Sequence, residues 1–211
     1  MKLQLALDTV SLIQAKEIIH NLADVIDIVE IGTPLVVREG LKAVAEIKIA
    51  YPHLAVLADL KLMDAGKYTA NMGFAAGADI VTVLGVSENS TIQAVAEAAQ
   101  QQEKAVMVDM IAVLDIASRV EQVEQFGVGY ICVHTGVDTQ HLESSPLDKL
   151  KTLKKACRTA KTAVAGGIKA KTLPDILSHQ PDIIIVGGGI TRQENCREAA
   201  VEIKNLITGS C

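Results

Sequence analysis

The chain has 211 residues, 49% of them hydrophobic, 21% charged and only 2% aromatic, and carries a formal net charge of −5. That balance, with no block of clustered Lys and Arg, excludes a nucleic-acid partner, and no run approaches the ~18 apolar residues of a membrane span. A single domain over residues 1–211 is expected, its core built of Val, Ile, Leu and Ala as buried parallel strands provide.

The run LQLALD alternates, so Gln4, Ala6 and Asp8 share one face and Leu3, Leu5 and Leu7 the other. SLIQAKEIIHNLA follows with helical spacing, opened by Ser11 as an N-cap. DIVEIGT is a second strand with Glu30 in line with Ile28, and REGLKAVAEIKIA predicts a helix over 38–50. In AVLADLKLMDAG, Leu57, Asp59 and Lys61 align on one face of a third strand, and Asp64 lies beyond it in a tight MDAG turn. DIVTVLG precedes the helical SENSTIQAVAEAAQQQ. AVMVDM, closed by Asp109, precedes DIASRVEQVEQFG, and YICVHTG, closed by His134, precedes PLDKLKTLKKACRT. TAVAGG and DIIIVGGG complete the strands, with GIT expected to lead straight into a last helix, TRQENCREAAVEIKNLI.

Strand and helix thus alternate to the end, which signals a parallel sheet. Eight repeats in this length predict a (β/α)8 TIM barrel. A doubly wound sheet would carry a glycine fingerprint after its first strand, whereas TVSLIQA follows here. The cysteines Cys132, Cys157, Cys196 and Cys211 are far apart and read as reduced thiols. With no continuous apolar leader in MKLQLALD, a cytoplasmic location is expected.

Counting by twos brings Asp8, Glu30, Asp59, Lys61, Asp109 and His134 to the rim where barrels build their sites. A helix cap or loop bond would explain any one of them alone. Burying all six without function would require each to be paired against its desolvation cost. Glu30 and Asp59 are hard oxygen donors on adjacent strands, suited to Mg²⁺. Lys61, beside acids, favours its ammonium form and suits an oxyanion better than a Schiff base. VAGGI at 164–168 and VGGGI at 186–190 offer backbone N–H groups to a phosphate, or are tight turns needing positive φ.

Together LALD, VEIGTP, LADLKLMDAG, VTVLG, VDMI, ICVHTG, AVAGGI and IVGGGI resemble the 3-hexulose-6-phosphate synthases of the orotidine 5′-monophosphate decarboxylase suprafamily, over essentially the whole chain. Asp59, Lys61 and Asp64 match the D-x-K-x-x-D signature. The resemblance implies that Glu30 and Asp59 bind Mg²⁺, that Asp8 and Lys61 lie beside the substrate, and that His134 is the catalytic histidine. It further implies that Thr33 and Asp109 hold the sugar phosphate and that Gly166, Gly167, Gly187 and Gly188 hold its phosphate. Asp64 would cross a homodimer interface to the partner's site. The implied reaction condenses D-ribulose 5-phosphate with formaldehyde through a 1,2-enediolate, giving D-arabino-hex-3-ulose 6-phosphate. The 3-keto-L-gulonate 6-phosphate decarboxylases (KGPDC) share the metal site and are the alternative. They carry an Arg where Val137 stands and a Glu where Asp109 stands, and both departures favour the synthases.

Overall fold

Alternating side chains sort the apolar residues into two layers, and the computed structural model, which describes residues 1–140 and 146–209, shows both. The strands are β1 (Lys2–Leu7), β2 (Ile28–Ile31), β3 (Ala55–Leu62), β4 (Ile80–Leu84), β5 (Ala105–Asp109), β6 (Tyr130–His134), β7 (Lys161–Ala165) and β8 (Ile183–Val186). They pair in parallel in chain order, and β8 returns to β1 to close the barrel. Ile28, Leu57, Ile80, Met107 and Ile183 fill the interior, while Leu3, Leu5, Leu7, Val29 and Val56 face outward beneath the helices. Each such side chain contributes roughly 1.5–3 kcal/mol relative to exposure, so a one-residue slip in any strand would turn a whole apolar set the wrong way.

Around the barrel run α1 (Leu12–Leu22), α2 (Thr33–Glu39), α3 (Lys42–Ala50), α4 (Gly66–Ala75), α5 (Asn89–Gln100), α6 (Ile116–Glu124), α7 (Leu147–Ala156), α8 (Leu173–Leu177), α9 (Gly188–Thr191) and α10 (Cys196–Thr208). Ser11 caps α1 as expected and forms a capping box with Gln14. Three expectations need correction. The helix placed over 38–50 is two, because Gly40 takes a φ of 66° and ends α2 before α3 begins. The last helix starts at Cys196, capped by the Asn195 side chain, and only the single turn α9 follows directly on the second glycine run. Finally, α4 and α8 are helices where the sequence pattern marks no helical segment. The buried face of α4 is Gly66, Ala70, Gly73 and Phe74, small residues that pack closely where large apolar ones would give a pattern.

At the N-terminal end of the barrel, the Asp that opens a strand run ties down the strand before it. Asp27 accepts from Leu3 N at 2.7 Å, Asp79 from Val56 N at 2.9 Å and Asp182 from Thr162 N at 2.7 Å. Asp79 is also bridged by Lys48 and Lys104, at 2.7 and 2.8 Å. These contacts fix strand register on the face opposite the mouth, where barrel residues serve stability.

Candidate active site

At the C-terminal end of β3 the pairing with β4 jumps from Ala58 opposite Val81 to Leu62 opposite Val83, a bulge. Lys61 takes a φ of 44° within it, a strained conformation that costs on the order of 1–3 kcal/mol and recurs where a side chain must be re-aimed. The result is a re-aimed side chain. Lys61 Nζ donates to Asp59 Oδ2 at 2.8 Å and to Asp109 Oδ2 at 3.3 Å, while its backbone N–H donates to Thr82 Oγ1 at 2.9 Å. Burial opposes the ammonium charge, but the carboxylates of Asp59 and Asp109, the bond to Asp59 and the charge of Glu30 outweigh it and hold the pKa well above the ordinary lysine range. Lys61 is therefore a fixed cation at neutral pH.

Asp59 is buried under three donors: Thr82 Oγ1 to Oδ1, and Thr33 Oγ1 and Lys61 Nζ to Oδ2, each at 2.8 Å. Thr33, expected to hold the sugar phosphate, thus has its hydroxyl on Asp59, with the Asp59 carbonyl also within 2.8 Å. Asp109, expected in a similar role, accepts from Ile111 N at 2.9 Å on Oδ1 and lies 2.9 Å from His134 Nδ1 on Oδ2. Burial raises the Asp109 pKa. The bond and charge of His134, the charge of Lys61 and the Ile111 N–H more than reverse this and keep it a carboxylate. With the Nδ1 hydrogen on that bond, the His134 Nε2 carries the lone pair and can act as a base.

Asp8 lies against Gly32 and Gly187. Burial and the Asp59 charge push its carboxyl up, against the lowering charges of Lys61, His134 and Arg192. Glu30, next to Ala6 and Leu57 in register, is pushed well up by burial and by the Asp59 and Asp8 charges, against the Gln4 bond and Lys61. Four carboxyls, those of Asp8, Glu30, Asp59 and Asp109, around the one ammonium of Lys61 leave the floor of the mouth short of positive charge, which fits a divalent cation. Among the described residues no cluster of three or more His, Cys, Asp or Glu is arranged to hold a metal. Two protein carboxylates, completed by substrate and water, suit Mg²⁺, which gives up its water reluctantly.

The two glycine runs differ. Gly166 and Gly167 take φ of 106° and 66°, so the first turn does need glycine for its backbone. Gly187 and Gly188 do not. The third glycine of the second run is demanded by proximity, since a Cβ on Gly189 would stand 2.2 Å from the Ile168 carbonyl oxygen. The two turns are thereby pressed together. Because α9 is one turn long, the dipole of a long helix does not reach this point. A cation does: the Arg192 side chain lies over Gly188, its Cδ and Nε 3.2 and 3.3 Å from where a Cβ would be. Among the described residues Arg192 has no carboxylate partner. Sequence reasoning passed over it, although a basic residue four positions past Gly188 on a helical turn was the available signal.

Asp64 is exposed beyond the strand and accepts from Ala65 N at 2.7 Å. Unlike Asp59, Lys61, Asp109 and His134, it makes no hydrogen bond or ion pair with a site residue among the described residues.

The Orotidine 5'-phosphate decarboxylase / HUMPS family model matches residues 1–203. The 3-hexulose-6-phosphate synthase of Bacillus subtilis (strain 168) is 51% identical, over 98% of this chain and 99% of its own. The crystal structure of 3-hexulose-6-phosphate synthase from Salmonella typhimurium superposes with a TM-score of 0.97 at 44% identity, covering 100% of both chains. KGPDC from Streptococcus mutans superposes with a TM-score of 0.87 at 25% identity, covering 99% of this chain and 97% of its own. The chain belongs to the orotidine 5'-phosphate decarboxylase / HUMPS family, and within it to the 3-hexulose-6-phosphate synthases.

Proposed function

We propose that the barrel, a single domain, joins formaldehyde to C1 of D-ribulose 5-phosphate. The observation that carries this reading is the chain of contacts from His134 through Asp109 and Lys61 to Asp59 at one mouth, a base and a fixed cation sharing one carboxylate oxygen. His134 Nε2 removes a C1 proton, and Asp109 holds the ring and stabilises its charge. The Lys61 ammonium faces the oxygen on which enediolate charge develops. C1 then bonds to the formaldehyde carbon as the carbonyl π bond opens onto oxygen, and the new alkoxide takes a proton from an adjacent acid or water, with Asp8 lying beside the substrate. Glu30 and Asp59 would hold Mg²⁺, with Thr33 ordering Asp59. The ion when bound supplies Lewis acidity that makes the C1 proton easier to remove. Gly166, Gly167, Gly187 and Gly188, with Arg192, bind the phosphate by backbone N–H groups and charge.

The working unit in this reading is a homodimer in which Asp64 reaches the partner's site. Met63, Tyr68 and Leu114 are 54%, 73% and 101% exposed. Met63 adjoins the β4 loop through Ser87, which donates to its sulfur at 3.5 Å. Exposed apolar side chains on the Asp64 side of the mouth suit a surface covered by a second copy. No helix among the described residues is long and apolar enough to cross a membrane, and Cys132, Cys157 and Cys196 are free thiols, which accords with the cytoplasm. Cys211 lies outside the described residues.

The purified protein, given Mg²⁺, ribulose 5-phosphate and formaldehyde, is expected to form the hexulose phosphate. It is expected to release CO₂ from 3-keto-L-gulonate 6-phosphate far more slowly, and faster decarboxylation would overturn the assignment.

A further inference from the structure

A polar side chain in the middle of an apolar barrel needs a reason, because an amide taken out of water without full hydrogen bonding costs about 1–3 kcal/mol. Gln4 is fully buried, on the level of Ile28 and Ile185 in register. Its Nε2 donates to Glu30 Oε2 at 2.6 Å. Its Oε1 has no hydrogen-bond partner among the described residues. A methionine or leucine would fill the same space with no polar atom to strand, so the fold alone does not call for glutamine here. What it secures is Glu30: among the described residues, no other hydrogen bond or ion pair reaches that carboxylate.

We propose that Gln4 is a positioning residue for the divalent-cation site, its amide pinning Glu30 Oε2 from below and leaving Oε1 as the oxygen that meets the ion. The assignment rests on the reading of Glu30 as a cation ligand. Glutamate reaches the mouth on three rotatable bonds, and a donor fixed to β1 removes that freedom before the ion arrives. Outer partners of this kind are worth about 10–100-fold in metal affinity.

Titration with Mn²⁺ alone, followed by electron paramagnetic resonance of the free ion, tests this without turnover. Gln4→Met is expected still to unfold cooperatively near the wild-type midpoint, since it removes the stranded Oε1 acceptor together with the donor to Glu30, yet to bind Mn²⁺ about tenfold more weakly. In a Glu30→Gln background the same substitution should change Mn²⁺ affinity less than about twofold, the signature of a residue acting through Glu30. Wild-type affinity retained in Gln4→Met overturns the inference alone. Equal affinity in wild type and Glu30→Gln removes the cation site, and the role of Gln4 with it. Should neither Gln4→Met nor Gln4→Leu fold, Gln4 is a structural requirement of the barrel and the inference also fails.

Discussion

Asp109 shows most plainly how single atoms decide this chemistry. Its Oδ2 serves both His134 and Lys61, so one carboxylate orients the base and shares the cation. Asp109→Asn keeps the shape and loses the charge, and kcat should fall about 10²-fold or more, with the folded state intact by circular dichroism. Lys61 makes a second prediction. Its ammonium is held by Asp59 and Asp109, so borohydride added during turnover should leave no substrate adduct on it, checked by mass spectrometry of the intact chain. A trapped covalent adduct would require a neutral amine and a different mechanism.

Among the elements, the loop between α7 and β7 is anchored by one side chain at the end of α6. Glu124 Oε1 accepts from the backbone N–H groups of Arg158, Thr159 and Ala160 at 2.9, 2.7 and 2.9 Å. Burial works against its charge, but these N–H groups and the Cys157 thiol bring its pKa down to about 2. A carboxylate lowered on folding stabilises fully above its ordinary pKa near 4.5 and loses that contribution as pH falls toward about 2. Because Glu124 is only partly buried and solvent screens its charge, Glu124→Gln should cost no more than about 1 kcal/mol near neutral pH, by urea unfolding, with the gap to wild type closing through the acid window. Elements of this kind divide the legible from the illegible. The strands were readable because two-residue alternation is local: Gln4, Ala6 and Asp8 face inward as counted, and Asp59 and Lys61 do meet. Their meeting depends on a bulge no pattern revealed, and α4 was missed because glycine and alanine make its buried face. Arg192 escaped for a related reason, since what matters is the return of its side chain over Gly188, a tertiary fact.

For the whole molecule, closure of the barrel carries residues from β1, β2, β3, β5 and β6 to one mouth, with the glycine turns after β7 and β8 beside them. The one signature residue left out is Asp64. If it completes the partner's site, Asp64→Asn and His134→Asn proteins, each inactive alone, should regain about one quarter of wild-type activity when mixed and allowed to exchange subunits. Absence of recovery despite exchange would confine Asp64 to its own chain. The claim on which the chemistry turns is that His134 removes the C1 proton of ribulose 5-phosphate before formaldehyde takes part. Nuclear magnetic resonance in deuterated water, with Mg²⁺ and without formaldehyde, reads that step directly. Wild-type protein should exchange one C1 hydrogen, and His134→Asn should bind the sugar phosphate yet leave both hydrogens in place; exchange by His134→Asn at the wild-type rate would contradict the account.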